Sequence, residues 1–387
     1  MSFFNGNDSC CNIYSGPLKN SSECSNSNQK LVIEKLSLES DRKKLKKLGR
    51  ESFPYLHGIF LDTTPHTLLA RYNGEIAGAI VMKLAEITPD ENVGIISWLF
   101  TSGDVRGAGI GEKLVREGME YLKSKNCSAI VTAVDGYNTS SSKIFANNGY
   151  VIQNGTTLIN RYGFKGYLRV WTKLKYYSEI GHFLWVYGLP EPENSSGPIT
   201  SWLANLTIIS IAFVVSYGHI QELANLYYVI LAGILFMSFR YIPLKILTMI
   251  KSEQWIYRGW HNGYLLSLIV AIIFGAFFPM PGAQYPENIK WSYRDKIQYL
   301  GTAYIVSSLL MVSTLGIVLA FPGLFSVGFI HSILFVGISF LIFDILLIMA
   351  PFQCYMGRRV YDFSRISWIG IAAIAIIVLF LFMTSYP

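Results

Sequence analysis

A glycine-rich string, Arg106-Gly107-Ala108-Gly109-Ile110-Gly111, is the segment of this chain best suited to chemistry. Glycines let backbone N–H groups approach an anion closely, because they carry no side chain. A helix that begins at this string would add exposed N–H groups and the positive end of its dipole. Arg106 would add a positive charge. The string therefore predicts a pyrophosphate site, although glycine-rich turns also serve simple packing.

The flanking sequence supplies the elements that such a site needs. Val93–Thr101 is an apolar run typical of a strand, and from about Gly109 to Lys125 the apolar residues recur with helical spacing. Upstream, Asn73-Gly74 favours a hairpin turn, since it accepts two positive φ angles. The remaining predicted elements are strands at Leu31–Leu36, His66–Tyr72, Ile76–Leu84, Ser128–Val134, Tyr150–Ile152 and Tyr167–Leu174, and helices from Ser40 or Asp41 to Ser52 and at Thr139–Asn147.

From Leu31 to about Lys175, this α+β order resembles the GNAT family of N-acetyltransferases. That family places Arg/Gln-x-x-Gly-x-Gly/Ala after its fourth strand. An Asn follows its fifth strand, with a Gly-Phe or Gly-Tyr pair eleven residues later, and the same spacing occurs here. The positions that fit are Arg106, Gly109, Gly111, Asn138, Gly149 and Tyr150.

The resemblance implies acetyl-CoA as the co-substrate and no metal. The backbone from Val105 to Gly111 would hold the pyrophosphate, and the preceding strand would run beside the pantetheine arm. An amine would attack the acetyl carbonyl directly, between that strand and Ser128–Val134, so that positioning supplies most of the rate gain. The implied cofactor-binding residues are Leu99, Phe100, Thr101, Arg106, Gly107, Ala108, Gly109, Ile110, Gly111 and Asn138.

The catalytic groups follow less directly from the motif. Many family members carry a Tyr four residues before the Gly-aromatic pair, as general acid toward the thiolate, but here that residue is Phe145. Tyr137 or Tyr150 could replace it, and Asn138 would contact the cofactor or its leaving group. A base must reach the amine directly or through water. The candidate bases are Glu86, Glu91, Asp104 and Asp135, and the predicted catalytic set is Asn138, Asp135 and Tyr150.

The two halves of the chain differ sharply in charge. Of the 387 residues, 1–200 carry 41 charged side chains and 201–387 carry 16. Several apolar runs in the second half reach the ~20 residues that cross a bilayer. These runs are Trp202–His219, Leu223–Phe239, Gly263–Met280, Tyr299–Phe321, Phe325–Ala350 and Ile366–Tyr386. The sequence thus predicts an α+β GNAT-type acetyltransferase domain followed by an all-α multi-span transmembrane helix bundle.

The predicted layout is a disordered tail at 1–30, an acyl-CoA-binding domain at 31–176, a linker at 177–200 and about six transmembrane helices at 201–387. Outside Arg42–Lys47 there is no dense basic stripe, so the net charge of +7 favours a lipid bilayer over nucleic acid as partner. Glycines within the spans suit close helix packing. They are Gly233, Gly275, Gly301 and Gly337.

Orientation is the weak point of the six-span prediction. A CoA-dependent domain is expected in the cytoplasm, which places the start of the first span inside. The basic residues at 240–258 are then inside, but those at 290–296 and 358–365 are outside. Cytoplasmic loops normally carry the excess of Lys and Arg. The conflict indicates that one span is miscounted.

The second half also weakly resembles relatives of site-two intramembrane metalloproteases, at 258–283 and 350–368. Those proteases bind zinc through His-Glu-x-x-His and a later Asp. Here Arg240, Tyr241 and Leu244 fall at the His, Glu and His positions, and Met356 falls at the Asp position. The resemblance implies a degenerate relative without zinc. Asp344, inside an apolar run, could serve an ion path or pair with a neighbouring helix.

Three functions remain open at this point. The first is a multi-pass membrane N-acetyltransferase with a cytoplasmic catalytic domain, acting on an unidentified amine. The second is a non-enzymatic acyl-CoA-binding membrane sensor or scaffold, favoured by Phe145 and by the lack of a clear base. The third is a transporter or degraded protease with an appended domain, for which Asp344 is the only hint.

Overall fold

The structure is a computed structural model that describes residues 31–52, 61–175, 180–190, 197–218, 224–349 and 351–385. It divides into two compact units. The first comprises the described residues up to 134, with those of 138–176 and 183–192, and the second comprises those of 135–137, 177–182 and 193–387. The predicted tail and residues 177–179 and 191–196 of the predicted linker lie outside the described residues.

The first unit is built on a seven-stranded mixed sheet with the order β1-β2-β3-β4-β5-β7-β6. Its strands are β1 Leu31–Lys35, β2 Leu68–Tyr72, β3 Glu75–Thr88, β4 Glu91–Thr101, β5 Cys127–Asp135, β6 Val151–Gln153 and β7 His182–Tyr187. The first four strands pair antiparallel in chain order, and β5 joins β4 in parallel. The predicted hairpin is confirmed, and Asn73 and Gly74 take φ values of 53° and 89°.

In the described part of the first unit, four helices accompany this sheet: α1 Glu39–Ser52, α2 Ile110–Lys123, α3 Thr139–Asn147 and α4 Gly155–Leu174. Apolar residues of α2 are buried at helical spacing, among them Ile110, Leu114 and Leu122. A mixed sheet with these helices is the predicted α+β architecture. It places the glycine-rich string between β4 and α2.

The strand predicted at Tyr167–Leu174 is wrong, because these residues belong to α4. Gly166, Val170 and Leu174 are buried four residues apart, which is the spacing of one helix face. The late strand is instead β7, which lies in the segment assigned to the linker and pairs with β6. The amphipathic α4 and the apolar β7 both come after β6 in the chain. The residue pattern alone did not show which of the two segments is the strand.

The second unit is mainly helical, with a short two-stranded sheet of β8 Trp255–Arg258 and β9 Ala283–Pro286. Its helices are α5 Pro198–Tyr217, α6 Leu226–Ile250, α7 Tyr264–Phe274, α8 Tyr293–Ala320, α9 Val327–Phe340, α10 Met356–Phe363 and α11 Arg365–Ser385. A π-helical turn at Leu341–Leu346 continues α9. The predicted all-α bundle is therefore present, with one small hairpin added.

Five helical segments in the described part of the chain are long and apolar enough to cross a membrane, rather than the six predicted. They are Pro198–Tyr217, Leu226–Ile250, Tyr293–Ala320, Val327–Leu346 and Arg365–Ser385. The run predicted as a span at Gly263–Met280 forms only the 11-residue α7, which ends at Gly275 with φ 60°. A helix of that length rises roughly 16 Å, which is too short for a hydrocarbon core of about 30 Å.

The second unit also exposes apolar side chains as a lipid-facing surface does. Among the described residues, the large exposed apolar side chains of the first unit are Val32, Leu38 and Phe164, and all others lie from Ile199 onward. Soluble proteins rarely expose continuous apolar patches of this extent. The exposed faces of the five long helices are therefore compatible with a multi-pass membrane protein.

Candidate functional site

The glycine-rich string forms an exposed turn between β4 and α2. A short 3-10 turn at Gly103–Val105 leads into Arg106, whose backbone is extended. Gly107 and Gly109 then take φ values of 85° and 73°, a region in which other residues are strained. A Cβ on either glycine would meet nothing within 4 Å. The glycines are thus required by backbone conformation and not by packing, which leaves the turn open to a ligand.

The backbone donors of this turn are not used within the protein. In the described residues, the N–H groups of Gly107, Gly109, Ile110 and Gly111 donate no hydrogen bond, whereas Ala108 N–H bonds to the Val105 carbonyl at 3.3 Å. Gly109 is the N-cap of α2 and supplies no side-chain cap. Unused N–H groups at the start of a helix form an anion site. The pyrophosphate site at this string stays a prediction.

The strand that precedes the turn separates from its parallel neighbour. β4 and β5 pair from Asn92/Cys127 to Ile96/Thr132 and no further, although both strands continue. Beyond Ile96 this edge of β4 therefore lacks a strand partner among the described residues. An extended ligand with amide groups can bind such an edge through main-chain hydrogen bonds.

A β-bulge lies at the same point of β4, and no residue pattern predicted it. In the pairing with β3, Val81 lies opposite Trp98 and Met82 opposite Ile96, so Ser97 is the extra residue. The Ser97 hydroxyl is buried without a hydrogen-bond partner. A bulge bends its strand and removes backbone groups from the ladder. It therefore marks the place where β4 turns away from β5.

The predicted strand residues lie on the section of β4 beyond this bulge. Leu99, Phe100 and Thr101 pair with β3 opposite Ile80, Ala79 and Gly78. The Phe100 side chain is 5% exposed and packs in the core beneath α1. Only backbone groups of Phe100 are therefore available to a ligand, as the predicted main-chain contacts require.

Asn138 lies at the start of α3 and acts as its cap. Its Oδ1 accepts a hydrogen bond from the Ser141 N–H at 3.2 Å. This is the usual role of Asn at an N-cap. The cap leaves the amide nitrogen of Asn138 as a donor.

Of the two tyrosines predicted as candidates for the general acid, Tyr150 lies in the first unit. Its ring packs 5.1 Å from Phe145 and 5.7 Å from Tyr187. Its hydroxyl is buried without a hydrogen-bond partner. Burial raises the pKa of Tyr150 above its ordinary value, so the hydroxyl holds its proton at neutral pH. Phe145 is itself 2% exposed and serves the core.

Asp135 is the last residue of β5 and Tyr137 follows it, but both belong to the second unit. Asp135 Oδ1 accepts a hydrogen bond from the Tyr137 N–H at 2.7 Å. The Tyr137 ring lies 4.1 Å from the guanidinium of Arg359 and 5.0 Å from the ring of Tyr285. Burial raises the pKa of Tyr137 well above its ordinary value. The predicted catalytic residues are thus divided between the two units.

Asp344, the acid found inside an apolar run, pairs with a neighbouring helix. It forms a fully buried ion pair with Arg240 of α6 and accepts a hydrogen bond from the Met356 N–H at 3.2 Å. Arg240 and Met356 are two of the positions at which the protease relatives hold their metal ligands. In the described part of the chain, no three His, Cys, Asp or Glu side chains are grouped so that they could hold a metal ion.

Comparisons with known proteins agree with the resemblance predicted for each half of the chain. The model of the Acetyltransferase (GNAT) family matches residues 33–150. A predicted zinc metalloprotease of Methanocaldococcus jannaschii is 24% identical over 172 residues, which cover 42% of this chain and 83% of that protein. This similarity confirms the protease-like relative.

Solved structures with a similar fold include two acetyltransferases bound to CoA or a CoA analogue. A chain of the NatC complex bound to Gag peptide and CoA is 20% identical with a TM-score of 0.32, over 42% of this chain and 99% of that chain. Arabidopsis thaliana Naa50 in complex with the bisubstrate analogue CoA-Ac-MVNAL is 20% identical with a TM-score of 0.30, over 41% of this chain and 99% of that chain. The part of this chain that is similar to the GNAT family is therefore residues 33–150, as the family model gives it.

Proposed function

We propose that this chain is a membrane-anchored N-acetyltransferase that moves an acetyl group from acetyl-CoA to a primary amine. The observation that carries the proposal is the exposed turn at Gly107–Gly111, in which every backbone N–H group except that of Ala108 is unused among the described residues. The turn follows the section of β4 that has parted from β5. The GNAT domain at residues 33–150 supports acyl transfer as the reaction class.

The proposed reaction needs positioning more than strong acid–base chemistry. The turn would hold the pyrophosphate, and the unpaired edge of β4 from Ser97 to Thr101 would bind the pantetheine amides. The amine nitrogen would then form a bond to the acetyl carbon while the bond from carbon to sulfur breaks. Holding both reactants in line can supply about 7 kcal/mol or more of the barrier reduction.

Proton transfers complete the proposed reaction. The amine must lose a proton and the thiolate must gain one. The buried hydroxyl of Tyr150 carries a proton at neutral pH and is the candidate donor to the thiolate, although the pKa raised by burial makes it a weaker acid than an exposed tyrosine. Asp135 remains the candidate that accepts the proton of the amine, and the amide nitrogen of Asn138 can donate to the cofactor or its leaving group.

The span count supports an orientation with the GNAT domain in the cytoplasm. With five spans and the first span starting inside, residues 251–292 and 347–364 both return to the inside. These two segments and the adjoining helix ends hold the Lys and Arg residues at 245–258, 290–296 and 358–365. The opposite loops, 218–225 and 321–326, contain no Lys or Arg. This distribution agrees with the positive-inside rule, which six spans violated.

The proposal is tested with the full chain purified in detergent. Acetyl-CoA is supplied with a panel of primary amines that includes peptides with free N-termini, lysine, polyamines and amino-lipids, and free CoA thiol is measured over time. We expect at least one amine to release CoA in step with the appearance of its N-acetyl product. CoA release that does not depend on any amine would overturn transfer as the function.

A matched pair of glycine variants separates binding at the turn from general strain. Gly109 and Gly74 both have positive φ and open space around a built Cβ. Replacing either with Leu costs about 1–2 kcal/mol of backbone strain, but only Gly109 lies at the start of α2. We expect Gly109→Leu to weaken acetyl-CoA binding by about tenfold or more, and Gly74→Leu to leave it unchanged. Equal effects of both variants would contradict the site.

A second candidate function is an acyl-CoA-binding membrane sensor that performs no transfer. It is favoured by Phe145, which is a buried core residue at the position where many family members carry the Tyr that serves as general acid. Its expected signature is tight, saturable acyl-CoA binding without product for any amine. The same titration and amine panel therefore decide between the two functions.

A further inference from the structure

Two buried arginines, Arg240 and Arg359, lie in the second unit, and each is only 4% exposed. Arginine is rarely buried without partners for its planar set of N–H donors. In both residues, part of the guanidinium group has no hydrogen-bond partner among the described residues. These unused donors raise the question of what they bind.

The contacts of Arg240 account for only part of its guanidinium. Its Nε donates to the Gly282 carbonyl at 3.0 Å, and its Nη1 pairs with Asp344 Oδ1. Its Nη2 is buried and unpartnered, as is Oδ2 of Asp344. The rings of Trp260, at 5.1 Å, and Tyr304, at 5.9 Å, surround the cation without satisfying its in-plane N–H groups.

Arg359 shows the same pattern on α10. Its Nη2 donates to the Gln353 carbonyl at 2.8 Å and lies 3.8 Å from Asp362. Asp362 is already bonded to Arg358 and to the Tyr293 hydroxyl, both at 2.8 Å. The Nε and Nη1 of Arg359 are buried and unpartnered.

Arg359 keeps its charge in this setting. Burial acts to lower the pKa of Arg359, but nearby groups, with Tyr293 and Asp362 foremost, raise it above its ordinary value. Asp135 adds to this electrostatic field but forms no hydrogen bond with Arg359 among the described residues.

One aromatic wall connects the two arginines. The Tyr137 ring stacks on Arg359 at 4.1 Å and packs 5.0 Å from Tyr285. The Tyr285 hydroxyl accepts a hydrogen bond from Trp260 Nε1 at 3.4 Å, and Trp260 lies against Arg240. Tyr137 is within electrostatic range of both guanidinium groups. The two arginines therefore border the same buried, aromatic-lined region.

The unused groups in this region are unequal in type. Three guanidinium nitrogens (Arg240 Nη2, Arg359 Nε and Arg359 Nη1) have no partner among the described residues, and neither do the Tyr137 hydroxyl and one carboxylate oxygen, Asp344 Oδ2. Planar guanidinium donors match carboxylate and phosphate oxygens, whose lone pairs can accept several N–H groups at once. We propose that Arg240 and Arg359 form a buried site for a ligand that carries an anionic oxygen group, a carboxylate or a phosphate.

The site is separate from the acyl-CoA turn and does not depend on acetyl transfer. It is bordered by Asp344, two residues before the end of its span, and by Tyr293, the first residue of α8. In the proposed orientation both positions lie at the cytoplasmic ends of their helices. A soluble anion from that side and the phosphate of a lipid headgroup are therefore the two sources to distinguish.

The test measures binding to the full chain without acetyl-CoA. In detergent, inorganic phosphate, acetate and glycerol phosphate are titrated by calorimetry, and the chain is then assayed in nanodiscs with and without phosphatidic acid. Saturable binding of a soluble probe supports a soluble ligand. Binding that requires phosphatidic acid supports a lipid headgroup.

Arg359→Lys and Arg358→Lys form a matched pair of variants. Both keep the charge on α10, but of these two residues only Arg359 has buried guanidinium nitrogens without a partner among the described residues. Lysine cannot reproduce a planar fork, so we expect Arg359→Lys to weaken binding by about tenfold or more. We expect Arg358→Lys to change binding by less than about twofold. Equal losses in both variants would overturn the site.

A density map of the unaltered chain gives a readout that needs no variant. A feature larger than water, within hydrogen-bond distance of Arg240 Nη2 and Arg359 Nε, supports the proposal. Density for ordered waters only, together with no binding of any probe, overturns it. Because this test involves no amine and no CoA, it can fail while the proposed acetyl transfer stands.

Discussion

The two units hold their arginine–carboxylate pairs in opposite ways. In the first unit, Arg71 contacts both Glu34 and Asp41 at 2.6 Å, and its side chain remains 23% exposed. In the second unit, Arg240 and Asp344 form a single pair that is almost fully buried. Arg71 is thus shared by two carboxylates and remains in contact with water, whereas the Arg240–Asp344 pair lies among aromatic rings.

This difference shows how the surroundings set the value of a charge pair. An exposed pair is screened by water and contributes about 0–1 kcal/mol. A buried pair gains little in total, because desolvation offsets the attraction, but removing one partner strands the other charge. The helical unit should therefore tolerate loss of the whole pair better than loss of half of it. In the first unit, loss of one partner and loss of both partners should change the free energy of unfolding by nearly the same small amount.

The largest expected effect is in the buried pair. Asp344→Asn leaves Arg240 charged and uncompensated, so we expect a loss of about 3–5 kcal/mol in the free energy of unfolding. The measurement is thermal or denaturant unfolding of the purified chain in detergent. The double variant Arg240→Leu with Asp344→Leu should recover much of this loss. A double variant as unstable as the single one would contradict the comparison.

The next effect concerns how closely the helices pack in the second unit. A Cβ at Gly301 of α8 would overlap the ring of Phe363, whereas one at Gly316 of the same helix meets nothing within 4 Å. We expect Gly301→Ala to cost about 1–3 kcal/mol through overpacking, and Gly316→Ala to be neutral or slightly stabilising. Unfolding of both variants in the same detergent compares them directly.

A smaller effect is expected at the Arg71–Asp41 pair of the first unit, in which Arg71 is partly exposed although Asp41 is buried. Asp41→Asn removes one carboxylate from Arg71 but leaves Glu34 in place, so we expect a loss of about 1 kcal/mol or less. The loss should shrink further at high salt, where exposed pairs are screened. The measurement is unfolding of the full chain at low and high ionic strength. A loss as large as that of Asp344→Asn would remove the contrast between the units.

The smallest expected effect is a pH dependence at His66. Its Nδ1 lies 2.8 Å from the Tyr121 hydroxyl, and burial, followed by Lys35 and Lys125, lowers its pKa below 6.5. Below 6.5 the unfolded chain then binds more protons than the folded chain, so stability falls as the pH drops into this range. Comparing unfolding of the parent and of His66→Gln at about pH 7.5 and about pH 5.5 tests this. His66→Gln should show the shallower dependence.

Much of the first unit could be predicted because its signals are local. The Asn73-Gly74 turn and the string at 106–111 depend on backbone angles that glycine or asparagine supplies within a few residues. The spacing of Asn138 and Gly149 carried the family resemblance, which the match at 33–150 confirms. The candidate catalytic roles of Asn138, Asp135 and Tyr150 stay predictions, because residue types near a cleft do not specify which proton each group moves.

Other features of the candidate site could not be predicted, because they depend on partners distant in the chain. The bulge at Ser97 exists only in the pairing of β4 with β3, and the parting from β5 is a matter of strand register. The long span predicted from Gly263 ended early at Gly275, where a Cβ would lie 2.8 Å from the backbone nitrogen of Ser216. Hydropathy shows how long an apolar run is, but it does not show where the chain must turn in order to pack against another segment.

By itself, the sequence determined the kinds of surface this protein has: a glycine turn with spare N–H groups, a charged sheet unit and long apolar helices. Those properties follow from residue type and short-range geometry. Only the tertiary structure decided that Asp344 pairs with Arg240, 104 residues away, and that Arg359 stacks on Tyr137. Such pairings form because a buried charge must find a partner wherever packing places one, and no local pattern encodes that choice.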